Sequence, residues 1–158
     1  MIKEFIDQWW KYKDNMERYF KSISEINAID YEDIVKALID NVLNCGIEEE
    51  WYKISTDIHV IDDLEYHGTQ IFVVHNDTYQ PDVDDYFFTH NYYGSCSGCD
   101  TLLSIVTFCS EPATDEQVKE LMKLAFDLLR NFKPLVEGAK YKGKSVHLTE
   151  WEELGDNS

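Results

Sequence analysis

Cys96 and Cys99 stand three residues apart in a run of small side chains, Tyr93-Gly94-Ser95-Cys96-Ser97-Gly98-Cys99-Asp100. Two chemistries use such a pair. In thiol–disulfide exchange, Cys99 near a helix N-terminus is held as a thiolate and Cys96 resolves the mixed disulfide. In a tetrahedral zinc site, Cys96 and Cys99 supply one pair of ligands, and two more come from His90, His75, Cys45 or Cys109, with His90 the first choice. Each set is incomplete. Redox pairs of this spacing join a strand to a helix in a parallel sheet, whereas the strands preceding Cys96 read as an antiparallel meander, and the zinc set lacks a second paired motif. A cysteine nucleophile at Cys96 with His90 as its base lacks an acid partner. The five histidines are scattered without His-x-x-x-His spacing, and a phosphate cradle ahead of a helix would find no Lys or Arg between Lys53 and Lys119. The plainer reading is structural. Gly94 and Gly98 allow positive φ in a tight loop, the cysteines fill space as small hydrophobes, and Asp100 caps the helix that follows. No catalytic set is assembled, so a binding protein is expected rather than an enzyme, without a cofactor or, alternatively, with zinc.

The acids form the second feature with chemical consequences. Glu48-Glu49-Glu50, Asp62-Asp63, Asp82 and Asp84-Asp85 lie on a chain of net charge −17. Such a balance argues against direct binding of nucleic acid or an anionic membrane, both of which call for a basic surface. If Asp62, Asp63, Asp82, Asp84 and Asp85 converge on one side of the meander, their summed field would steer a basic partner.

The elements that must position these residues are visible in the hydrophobic period. Phe5, Trp9, Met16 and Phe20 recur at helical spacing across roughly residues 2–22. A second helix starts after Asp30 as N-cap, carries Tyr31, Ile34, Val35, Leu38 and Val42 on one face, and stops at Cys45-Gly46. A third begins at a Thr114/Gln117 capping box, runs through Leu121, Leu128 and Phe132, and ends at Pro134. Between the second and third the period becomes two: residues 58–61, 69–75 and 86–93 are β-branched and aromatic runs. The connection at Glu65-Tyr66-His67-Gly68 predicts a hairpin, and residues 76–85 a longer loop. Leu102, Ile105, Val106 and Cys109 predict a short helix, residues 145–149 an edge strand, and residues 150–158 a frayed acidic tail. The fold class is therefore α+β: an antiparallel meander of three to four strands packed against N-terminal and C-terminal helices, in one domain spanning residues 1–158.

A hydrophobic fraction of 44% with 10 Tyr, 8 Phe and 4 Trp supports a packed core despite the charge. The first residues carry acids where a secretory signal needs basic and then apolar residues, and no apolar run reaches the roughly 18 residues that cross a bilayer. A soluble, cytoplasmic protein with reduced thiols is expected, its oligomeric state left open.

Three stretches together, residues 59–74, Asp77-Thr78-Tyr79-Gln80-Pro81 and Tyr93-Gly94-Ser95-Cys96-Ser97-Gly98-Cys99-Asp100-Thr101-Leu102, resemble a family of small uncharacterised proteins of phages and prophages of Gram-positive bacteria. The resemblance implies a phage-related origin and an infected or lysogenic bacterial host as the setting, with no catalytic residues to carry over. The function expected on these grounds is a non-enzymatic acidic binding protein that inhibits or redirects a host protein, such as a defence nuclease, by meeting its basic surface. A small structural-metal or thiol protein built on the cysteine loop is the alternative.

Overall fold

The computed structural model describes residues 2–62, 68–94, 100–106 and 111–136. The fold is α+β. Helix α1 spans Ile2–Ser22, and its Phe5, Trp9, Met16 and Phe20 are buried at the spacing of one helical face. Helix α2, Tyr31–Leu38, opens on a reciprocal cap: Asp33 N–H donates to the Asp30 carboxylate at 2.8 Å, and Asp30 N–H donates to the Asp33 carboxylate at 3.0 Å. Past Leu38 the helix widens into a π-turn, Ile39–Leu43. Polar side chains of α1 take up the carbonyls at this loosened end. Gln8 Nε2 donates to the carbonyls of Val42 (3.1 Å), Leu43 (3.3 Å) and Cys45 (2.9 Å), and Asn15 Nδ2 donates to that of Asn41 (3.0 Å). The chain then reverses at Gly46, with φ +77°.

The sheet runs in the order β1-β2-β3-β4 with every pair antiparallel. Strand β1 is His59–Asp62, β2 is Gly68–His75 and β3 is Tyr86–Tyr93, close to the runs read from the sequence. Register places Val73 opposite His59 and Phe88, and His75 opposite Tyr86. Alternation then sorts the side chains: Phe72, Val74, Phe87 and Thr89 are buried on one face, while His90 and Tyr92 are exposed on the other. Strand β4 is Lys133–Pro134, paired with Phe88 and Phe87. Pro134, expected only to stop a helix, belongs to this edge strand, where a missing N–H costs no ladder bond. The strand expected at residues 145–149 and the tail at 150–158 lie outside the described residues.

Helix α3, Thr101–Val106, and helix α4, Asp115–Arg130, complete the helical layer. Thr114 and Gln117 form the expected box, with Gln117 N–H on Thr114 Oγ1 at 3.2 Å and Thr114 N–H on Gln117 Oε1 at 2.8 Å. Leu121 is 0% and Leu128 2% exposed, as their place on the apolar stripe demands. Phe5 packs edge-on against Phe87 (centroids 6.4 Å apart) and Phe132 (5.5 Å), and Thr89 Oγ1 donates to the Leu128 carbonyl at 2.9 Å. Helix α1, helix α4 and the sheet therefore share one core.

Candidate binding surface

Asp100 stands where the glycine and cysteine loop enters α3, and is 6% exposed. Its Oδ1 accepts from Leu103 N–H at 3.1 Å, the N-cap bond the sequence led us to expect. The same oxygen accepts from Tyr31 O–H at 2.5 Å, and Oδ2 accepts from Gly94 N–H at 2.9 Å. Tyr31 Oη in turn accepts from Leu102 N–H at 2.9 Å. Burial, reinforced by the bond to Asp100, raises the Tyr31 hydroxyl well above the usual tyrosine range. Asp100 thus ties Gly94, on one side of the loop, to α3 on the other and to α2 beneath. Among the described residues the positive-φ glycine is Gly46, not Gly94. Cys96, Gly98 and Cys99 lie outside the described residues.

The other candidate ligands are spread through the molecule. His90 is exposed on the outer sheet face, edge-on to Tyr92 at 6.3 Å. His75 packs on Tyr86 at 5.4 Å, its Nδ1 lying 2.8 Å from the Asn76 carbonyl. Cys45 is half-buried past the π-turn, its Sγ 3.0 Å from the Asn41 carbonyl, and Cys109 lies outside the described residues. Among the described residues no three His, Cys, Asp or Glu side chains are grouped to hold a metal.

Of the five aspartates expected on one face, the four that are described separate. Asp62 is half-buried at the end of β1, where Oδ1 accepts from Tyr93 O–H (2.6 Å) and Oδ2 from Gln70 Nε2 (2.8 Å), bonds that lace three strands together. Asp82, Asp84 and Asp85 sit beyond the opposite end of the sheet, since Asp62 faces Gln70 whereas Tyr86 faces His75. At the rise of a strand the two ends are roughly 20 Å apart. Asp85 is 3% exposed, with Oδ2 accepting from Asp82 N–H at 2.9 Å, so it belongs to the loop's internal structure. Asp82 and Asp84 are exposed, and Asp63 lies outside the described residues.

At that opposite end the fold assembles a surface the sequence did not announce. The segment after α2 is fastened to the end of β2. Asn44 holds Ile54 by both backbone groups at 2.8 Å, Ile54 bridges to Asn76, Ser55 N–H donates to the His75 carbonyl at 2.8 Å, and Asp77 N–H donates to the Lys53 carbonyl at 2.8 Å. Residues 52–55 are thereby held against residues 75–77, and Glu50 and Asp77 line one cleft. Tyr79 is 96%, Trp51 54% and Val83 54% exposed, and Glu48, Glu49, Glu50, Asp77, Asp82 and Asp84 are exposed among them. The basic side chain at this junction, Lys53, lies 3.0 Å from the Glu50 carboxylate. A cleft of about 370 Å³ opens at the same junction between Asp40, Asn44, Glu50, Lys53, Ser55 and Asp77. The signal lay in aromatic residues close to acids, Glu50-Trp51-Tyr52 and Asp77-Thr78-Tyr79, but the meeting of the two segments depends on the Ile54–Asn76 bridge.

Among the described residues no helix is long and apolar enough to cross a membrane. Comparison with family models, curated proteins and solved structures returns no match.

Proposed function

We propose that the chain is a non-enzymatic, phage-type binding protein that engages a basic surface of a host protein through the acidic and aromatic end of its sheet. The observation that carries this reading is that Tyr79, Trp51 and Val83 are each more than half exposed, in two segments fastened together at Lys53 and Asp77 that also carry six exposed carboxylates. Large aromatic side chains standing in water are the anchors that well-packed interfaces cover, and carboxylates around them favour encounter with a positive surface. Such a contact would block or redirect the partner without chemistry. A nuclease, whose substrate channel is basic, is the kind of host protein this surface fits.

The test is kinetic. Once a partner has been captured from host lysate, Trp51→Ala and Tyr79→Ala should each weaken its binding by about tenfold or more, chiefly through faster dissociation. Asp82→Asn with Asp84→Asn should instead slow association, and the difference from wild type should shrink as salt is raised. Wild-type kinetics in all of these variants would refute this surface as the binding face.

A further inference from the structure

Asn76 is 0% exposed, and its N–H donates to the Asp85 carbonyl at 3.0 Å, one step past the last β2–β3 pair, His75–Tyr86. Asp85, which closes the 3-10 turn Val83–Asp85, is likewise buried at 3% exposure, so the Asn76 amide and the Asp85 carboxylate are both enclosed where the β2–β3 ladder ends. The amide's orientation is set by its surroundings: Nδ2 faces the carbonyls of Tyr52 and Lys53, both at 3.5 Å, and carbonyls only accept. Oδ1 is therefore turned away from them, and it is buried without a donor among the described residues. Thr78, drawn back by its N–H to the Asn76 carbonyl at 2.8 Å, carries a buried Oγ1 that also has no partner among the described residues. A hydroxyl rotates freely, so its failure to reach an acceptor marks a gap that another atom should fill.

We propose that Asn76 Oδ1, Thr78 Oγ1 and the Asp85 carboxylate hold a hard cation of the calcium class beneath the connection from β2 to β3. An amide oxygen, a hydroxyl and a carboxylate form an all-oxygen set suited to such an ion. The local charge favours an ion over water: Asp77, Asp82 and Asp84 stand exposed on the same connection, and the sequence has no Lys or Arg between Lys53 and Lys119. The ion would stiffen the loop that presents Tyr79 and Val83.

Terbium luminescence on the full chain tests this, with Trp51 and Tyr52 as sensitisers. The expected result is one saturable Tb³⁺ site emptied by Ca²⁺. Thr78→Val should weaken it by about tenfold or more, and Asn76→Asp, which adds a charged ligand, should tighten it, while Asp82→Asn with Asp84→Asn leaves it in place. At constant ionic strength, Ca²⁺ should raise the melting temperature of the wild type and not that of Thr78→Val. Unsaturable Tb³⁺ binding, or binding abolished by Asp82→Asn with Asp84→Asn yet unchanged in Thr78→Val, would assign the ion to the acidic surface and overturn the proposal. A melting temperature indifferent to Ca²⁺ in wild type and Thr78→Val alike would assign the gap to a buried water, with the same consequence.

Discussion

At the scale of single residues, Asp100 and Tyr31 carry more of the structure than their number suggests. The Asp100 carboxylate accepts three hydrogen bonds, from Tyr31, Gly94 and Leu103, in a place that is 6% exposed. Asp100→Ala should lower the unfolding free energy by about 3 kcal/mol, and Tyr31→Phe by about 2 kcal/mol, because buried donors and acceptors are left unmet. The two losses should add to more than the double variant shows in urea denaturation, since both remove the same bond. Tyr31 also sets a limit at high pH. Its hydroxyl holds its proton more tightly folded than unfolded. Both states are protonated below pH ~10, the unfolded value, so the full contribution is present there. Above pH ~10 the unfolded chain ionises first and stability falls as pH rises towards the folded value. Tyr31→Phe should therefore show a shallower decline than wild type in an alkaline unfolding series.

At the scale of elements, the ends of the second helix show how local and tertiary effects divide. Its start is local, a reciprocal cap made by two aspartates three residues apart. Its end is not: the π-turn exposes carbonyls that Gln8 and Asn15 of α1 satisfy, and Gly46 then turns the chain with φ +77°. A Cβ at Gly46 would lie 2.5 Å from Tyr12 Oη as well as in the left-handed region. Gly46→Ala should cost about 1–2 kcal/mol from the backbone alone, with a further loss from the contact. Placing Gly46→Ala in a Tyr12→Phe background should recover the contact and not the backbone part, so only partial rescue is expected in thermal melts. Full rescue would show that φ at this position carries no strain.

At the scale of the molecule, charge opposes compactness. A chain of net −17 repels itself, and the short-range ion pairs, such as Lys21–Glu17 and Arg130–Asp127, are exposed and contribute little. Added salt should raise the melting temperature while slowing association with a basic partner, two opposite movements from one screening effect. The same contrast separates surface acids from structural ones. Asp82→Asn with Asp84→Asn should preserve or raise stability, whereas Asp85→Ala should lower it, because Asp85 is buried and accepts from Asp82 N–H. Equal effects from the two changes would show that Asp85 has no separate internal role.

Helix and strand type followed from sequence alone because both leave a period in the order of residues. The Phe5-to-Phe20 stripe, the Thr114–Gln117 box and the Asp100 cap each act within a few positions of the chain, and all three are present. Which charges share a surface is not written in that order. Asp62 and Asp82 look equivalent as exposed acids of one meander, yet the antiparallel register sends them to opposite ends of the sheet and gives Asp62 two cross-strand bonds. Tyr31, an apolar-face residue by its period, became the partner of Asp100 only once α2 and α3 were packed together. Glu50 and Asp77 came to line one cleft through the bridge between Ile54 and Asn76. Capping and periodicity are local, so residue types reveal them. Proximity across the sheet depends on loop closure and strand register, which only the folded core selects.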